Sequence, residues 1–271
     1  MNNKFQILLL DPAWSFQDKL ENNDTPRGAE SNYKTMTLDD IKALKVNELA
    51  DPDGCVLALW VPSSLLQDGL DVMKKFNFEM KQTYIWVKTK KSPLEEVSDL
   101  FNSSIKSVTL DNLKSFKSSF GNLIKDVNLS SVLAFFMGRL FRQTHEICLI
   151  GINNTKIYKK LMNKSQRSVS FGENKKHSEK PEHLHNSLDL MFPSTSEYKI
   201  NKLELFARRQ KNGWLCCGNE APMTFGEDLR DNIDKIINCP NEQFLELMKL
   251  TSEADNASNK ELREKWKEIQ V

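Results

Sequence analysis

The sequence is short of net charge, of paired metal-binding cysteines and of long apolar runs, and each shortage closes off a class of protein. Lys and Arg number 38 against 37 Asp and Glu, a net charge of +1. The chain is therefore no polycation, and any affinity for a polyanion must come from a local basic face. None of the five cysteines (Cys55, Cys148, Cys216, Cys217, Cys239) forms a C-x-x-C pair. Neither a zinc site nor a disulfide framework is suggested, and the thiols read as buried and free in a reducing compartment. His183 and His185 stand two apart, a spacing that fits neither H-E-x-x-H nor a zinc finger, so no metal is expected. The apolar run Ile7–Leu10 is too short for the core of a signal peptide or a membrane span, and no other stretch approaches membrane length. A soluble, cytoplasmic chain without membrane association is the expectation.

What is present suits an α/β domain with embellishments. The 271 residues, 39% of them hydrophobic, are enough to bury a sizeable core. Apolar runs at Phe5–Leu10, Val56–Val61, Thr83–Val87, Glu146–Gly151, Lys202–Phe206 and Trp214–Cys217 read as buried strands. Between them lie helical patterns: Leu38–Leu44 after the N-cap candidate Thr37, Ser64–Phe76, and Pro181–Met191. Strands alternating with helices predict a mostly parallel sheet covered by helices on both faces. Two segments break the rhythm. Residues 92–131, rich in Ser, Lys, Leu and Asp, look like an inserted helical element. From about Met223 the chain turns acidic and helical, with Phe244, Leu247, Met248 and Leu250 as an apolar stripe and Lys260–Gln270 as a last charged helix.

The sharpest motif is Leu10-Asp11-Pro12-Ala13-Trp14, directly after the first strand. In open α/β sheets ligands bind outside the carboxyl ends of strands, which is where it falls. An acid, a proline and an aromatic there suit methyl transfer to an aromatic amine. The N6 lone pair of adenine is delocalised into the ring, and acceptors on the Asp11 side chain and the Pro12 carbonyl would bind both N6 hydrogens and favour a tetrahedral nitrogen. Trp14 would stack on an extruded adenine, worth about 1–3 kcal/mol. The alternative is that Asp-Pro only ends a strand and Trp14 packs in the core.

Further motifs follow in order: Asn32-Tyr33-Lys34-Thr35-Met36-Thr37, Leu59-Trp60-Val61, Trp86-Val87-Lys88-Thr89, His145-Glu146-Ile147-Cys148-Leu149-Ile150-Gly151, His177-Ser178-Glu179-Lys180-Pro181-Glu182, Lys202-Leu203-Glu204-Leu205-Phe206-Ala207-Arg208, Gly213-Trp214 and Gly218-Asn219-Glu220. With the Asp11 motif they cover residues 1–90 and about 135–222. In this the chain resembles the N6-adenine methyltransferases marked by Asp-Pro-Pro-Trp, a family that includes the catalytic subunit of the eukaryotic messenger-RNA adenosine methyltransferase and many phage and bacterial members. The short Trp14–Tyr33 segment is closer to the phage and bacterial branch.

The resemblance implies a Rossmann-like methyltransferase domain over 1–222, with the helical insertion at about 92–131, and a helical C-terminal extension over 223–271. It implies S-adenosylmethionine as cofactor, with Asp11 near its methionine amine and Lys180 on its carboxylate. Arg208 would approach the ribose, and Asn219 and Glu220 would bind the ribose hydroxyls and adenosine. Tyr33, Trp60 and Trp86 follow the family's substrate-side aromatics, with Lys88 beside them; core packing is the alternative for Trp60 and Trp86. Asp11, Pro12 and Trp14 would carry the chemistry. A lysine-rich stretch supports a polyanionic substrate: Lys156, Lys159, Lys160, Lys164, Arg167, Lys175, Lys176 and Lys180, with Arg139 and Arg142 upstream. The family's second proline is Ala13 here, a change worth about 0.4–1 kcal/mol through chain entropy. The reaction expected is direct methyl transfer to the N6 amine of adenine, with DNA preferred and RNA the alternative. A catalytically silent relative that binds nucleic acid or a sister subunit is the rival, and a homo- or heterodimer is possible on either view.

Overall fold

The structure, a computed structural model, describes residues 3–15, 35–90, 132–134, 136, 140–173, 180–218, 221–222, 228–253 and 259–269. The inserted segment expected at 92–131 and the site residues Tyr33, Asn219 and Glu220 lie outside them. The strands are β1 (Ile7–Leu10), β2 (Val56–Val61), β3 (Glu79–Thr89), β4 (His145–Ile152), β5 (Val169–Glu173), β6 (Lys202–Leu205) and β7 (Leu215–Cys217). The helices are α1 (Leu38–Lys42), α2 (Val46–Leu49), α3 (Leu66–Lys75), α4 (His183–Met191), α5 (Leu229–Asn238), α6 (Asn241–Thr251) and α7 (Asn259–Ile269).

The seven strands run in the order β5-β3-β4-β2-β1-β6-β7. β1 pairs in parallel with β2 and with β6, β6 with β7, and β3 with β5, while β2 and β4 are antiparallel. This is the mostly parallel sheet expected from the strand–helix alternation, and the Rossmann-like arrangement that the resemblance implies. The chain forms two compact units, one of Met1–Tyr84, Ile147–Ser168 and Leu184–Val271, the other of Ile85–Glu146 and Val169–His183.

In the first unit every residue of β1 and β2 is buried, which is why both read as unbroken apolar runs rather than alternating ones. The connection from β1 to β2 carries α1, which opens on a capping box. Thr37 Oγ1 accepts from the Asp40 backbone N–H at 3.1 Å, and the Asp40 carboxylate accepts from the Thr37 hydroxyl at 2.7 Å. α3 buries Gly69, Val72 and Met73. It closes with Asn77 at φ 63°, the Phe78 N–H donating to Met73 O at 2.9 Å and the Asn77 N–H to Lys74 O at 3.1 Å. That is the left-handed cap in which asparagine substitutes for glycine.

The helices after residue 222 pack into the same core as β1. Ile233 and Ile236 of α5, Phe244, Leu247, Met248 and Leu250 of α6 and Leu262 of α7 join Phe5, Leu8 and Leu10 in one cluster. The Phe5 and Phe244 rings meet edge to face at 5.5 Å. The stripe read from the sequence is thus an inward face of α6. Among the described residues no helix is long and apolar enough to cross a membrane.

In the second unit β5 is paired along Val169–Glu173 with Ile85–Thr89 of β3. Its only large apolar residues, Val169 and Phe171, are exposed. No buried apolar run marks this strand.

Candidate active site at the carboxyl edge of the sheet

Strand register builds the site. Leu10 stands opposite Leu59 and Leu205, and Leu205 opposite Cys217. β1, β6 and β7 therefore end at one level, and the residues that follow, Asp11, Phe206 and Gly218, emerge from the same edge. The chain leaves β1 towards β2 on one side, while β6 leads to β7 on the other. The gap between the carboxyl ends of β1 and β6 is thus the point where the winding reverses, the general location of ligands in open α/β sheets.

The described start of the loop after β1, residues 11–15, is pinned in place. Asp11 is half-buried and Pro12 buried. The Pro12 carbonyl accepts from the Trp14 N–H at 2.8 Å, and the Ala13 carbonyl from the Met36 N–H at 2.8 Å. The Trp14 indole N–H donates to the Trp60 carbonyl of β2 at 2.9 Å. Asp11 thus leaves a rigid strand end with its neighbours already held, and the second lone pair of the Pro12 oxygen remains for another donor.

Burial bears on the described aromatic residues, Trp14, Trp60 and Trp86. Trp14 is 5% exposed and part of the core cluster. Its ring is packed and its N–H is spent on β2, so it anchors the loop, as the core-packing alternative has it. Trp60 is also buried, its ring edge to face with Tyr84 at 6.1 Å. Trp86, in the second unit, is buried with its N–H donated to Gly172 O at 3.0 Å. Core packing, the alternative reading for Trp60 and Trp86, describes both, because each lies inside a strand whose face is covered.

The loop after β6 was only partly legible. Phe206 adopts φ 66°, a left-handed conformation costly for a bulky residue, on the order of 1–3 kcal/mol. It reverses the chain at the strand end, and the next peptide is held by the Ala207 N–H donating to Cys217 O at 2.9 Å. Gly218 stacks on that peptide: a Cβ there would lie 2.1 Å from Ala207 O and 2.5 Å from Ala207 N. The two loops therefore interlock, and half-buried Arg208 follows directly.

Beneath them a polar network ties α4 to β6 and β7. His185 Nε2 lies 2.9 Å from Glu204 Oε2, and Cys216 Sγ donates to the same carboxylate at 3.7 Å. The Trp214 N–H donates to Asp189 at 2.9 Å, and Lys202 pairs with Asp189. Burial raises the Cys55 and Cys216 thiols well above their ordinary value and pushes Cys217 up to about 12. These cysteines stay protonated at neutral pH and serve as core, not as nucleophiles.

The remaining expected residues, Lys88 and Lys180, stand with Trp86 in the second unit. Both pair with Glu146 of β4, at 2.5 and 3.1 Å respectively. The three side chains are only 12%, 14% and 25% exposed for Lys88, Lys180 and Glu146. The Lys88 ammonium also lies 5.1 Å from the Trp86 ring centroid and 5.0 Å from that of Phe136. Burial pushes the Glu146 carboxyl up, but Lys180 and Lys88 outweigh it and hold it below the usual carboxylate range.

The lysine-rich stretch is less available than its charge suggests. Lys156 pairs with Asp53 at 2.7 Å and Lys160 with Asp51 at 3.3 Å. Lys159, Lys164 and Arg167 are exposed, as is Arg142, while Arg139, Lys175 and Lys176 lie outside the described residues.

The MT-A70 family model matches residues 5–137 and 129–220. A protein of Arabidopsis thaliana named N(6)-adenosine-methyltransferase MT-A70-like is 23% identical over 219 residues, 80% of this chain and 24% of that protein. An N(6)-adenosine-methyltransferase MT-A70-like protein of Drosophila melanogaster is 34% identical over 86 residues, 32% of this chain and 12% of its own. The N6-adenosine-methyltransferase non-catalytic subunit MTB of Arabidopsis thaliana is 33% identical over 90 residues, 33% of this chain and 11% of its own. The chain spans about a quarter or less of the length of these relatives. With the family model covering most of the strands and the loop that carries Asp11, this chain belongs to the MT-A70 family.

Proposed function

We propose that the chain transfers a methyl group from S-adenosylmethionine to the N6 amine of adenine in RNA. The observation that carries the reading is Asp11: a half-buried carboxylate at the reversal point of the sheet, in a loop pinned by the Trp14 indole and the Met36 amide. The described residues suit the cofactor. Asp11 offers an acceptor for an ammonium group, Arg208 a donor for ribose oxygens, and both leave one sheet edge. By the family resemblance alone, Lys180 is expected on the cofactor carboxylate, and Asn219 and Glu220, outside the described residues, on its ribose and adenosine. When bound, S-adenosylmethionine supplies an electrophilic methyl group.

The chain's own part is positioning and polarisation. The Asp11 carboxylate and the Pro12 carbonyl would accept the two N6 hydrogens and draw the nitrogen towards a tetrahedral geometry, an interaction that strengthens as the amine becomes positively charged. Trp14 acts one step back, holding the loop against β2. RNA is chosen over the DNA expected from the sequence because the relatives are named for adenosine, a ribonucleoside. The non-catalytic subunit among them favours a second reading, a silent partner that binds without transfer. Incubating the full chain with labelled S-adenosylmethionine and matched RNA and DNA oligonucleotides, then analysing nucleosides by mass spectrometry, separates the readings. N6-methyladenosine in the RNA is expected. Label in DNA alone would reverse the substrate, and cofactor binding without label in either would leave the silent partner.

A further inference from the structure

Glu146 has no part in the chemistry above, yet its carboxylate is the meeting point of two largely covered cations of the second unit, Lys88 and Lys180. Lys88 reaches it from β3 at 2.5 Å, and Lys180 reaches it from beyond β5 at 3.1 Å. Lys88 is held on its other side by the Trp86 and Phe136 rings, and Trp86 is locked by its bond to Gly172. The Lys88 and Glu146 ends of this chain of contacts lie on two strands; Lys180 sits in an irregular segment ahead of α4. A lysine is a flexible stem with a point charge, and by itself it fixes no direction for its ammonium. Here the direction is fixed from the sheet.

We propose that Glu146 is a positioning residue: anchored by Lys88, it holds the Lys180 ammonium in place for the carboxylate of an amino-acid-bearing cofactor. The inference rests on the reading of Lys180 given above and adds the residues through which that lysine is set. With the charge removed from residue 146, two ammonium groups would face a neutral amide, and Lys180 would lose its anchor. A carboxylate ligand must then order the side chain itself, which costs roughly ten-fold in affinity, the scale of immobilising one long side chain. A ligand without a carboxylate has no use for Lys180 and would not register the change.

The test is calorimetric titration of the full chain and its variants with two probes, S-adenosylmethionine and 5′-methylthioadenosine, which lacks the amino-acid group. Glu146→Gln is expected to weaken S-adenosylmethionine about ten-fold and leave methylthioadenosine unchanged. Lys180→Met should show the same selectivity, and the double variant should be no weaker than Lys180→Met alone, because Glu146 acts only through that lysine. If Glu146→Gln does not fold, Lys88→Met loosens the same carboxylate and should give a smaller loss of the same selectivity. Equal weakening of both probes would reduce Glu146 to a packing role and overturn the proposal. So would unchanged S-adenosylmethionine affinity in Glu146→Gln beside a selective loss in Lys180→Met, which would leave the Lys180 reading standing. A non-selective Lys180→Met would remove that reading and this one with it.

Discussion

Replacing Gly218 by alanine tests the interlock between the two loops at the sheet edge. The added Cβ would meet only backbone: Ala207 O at 2.1 Å, Ala207 N at 2.5 Å and Phe206 C at 2.8 Å. None of these is a side chain that could swing aside. The Ala207 N–H is held by Cys217 O at 2.9 Å, and Phe206 is already in the left-handed region. Relief requires the loops to separate, breaking that hydrogen bond. Overpacking of this kind costs about 1–3 kcal/mol, and the lost bond adds about 1 kcal/mol. Chemical denaturation should therefore report a loss of about 2–4 kcal/mol with an unchanged slope. Loops displaced by about 1 Å should also lower methyl transfer by about a hundred-fold. A Gly218→Ala variant that unfolds at the wild-type denaturant concentration and binds S-adenosylmethionine as tightly would refute the interlock.

Asp11→Ala removes the proposed acceptor for the amine and should lower transfer by about a hundred- to a thousand-fold; full activity would dismiss its assigned role. Trp14→Phe keeps the ring but leaves the buried Trp60 carbonyl without its 2.9 Å donor, so stability should fall by about 1–3 kcal/mol, read by denaturant titration. The Glu146 carboxyl, lowered in the folded chain by Lys180 and Lys88 against the opposing effect of burial, stabilises the fold above its ordinary value of 4.5. That contribution is lost as pH falls from there through the lowered value. Stability measured from pH 7 downwards should hold level on this account until about pH 4.5, and the gap between wild type and Glu146→Gln should close below it.

How much could be read in advance depended on burial. The Val56–Val61 strand was bounded correctly because both its faces are covered and every residue is apolar. β3 runs from Glu79 to Thr89, well past the Thr83–Val87 core read from the sequence, because its first half is largely exposed and polar. β5 was missed outright: it turns Val169 and Phe171 outward, and its pairing with β3 is made by backbone groups that leave no mark in side-chain pattern. In the site, the Asp11 loop was recognisable because its signal is local. The strained Phe206 and its contact with Gly218 depend on two strand ends brought level by hydrogen-bond register, and the Glu146 pairs join residues from three separate segments.

By itself the sequence determined the buried strands and the capped helices, through apolar runs and caps, and marked the Asp11 loop as the candidate site. Only the tertiary structure decided that Asp11, Phe206 and Gly218 share one edge, that Trp14 and Trp60 spend their rings on the core, and that Lys180 pairs with Glu146. The physical reason is range: propensity and periodicity act within a few residues, whereas strand register, ring burial and buried ion pairs are settled by groups tens to hundreds of positions apart.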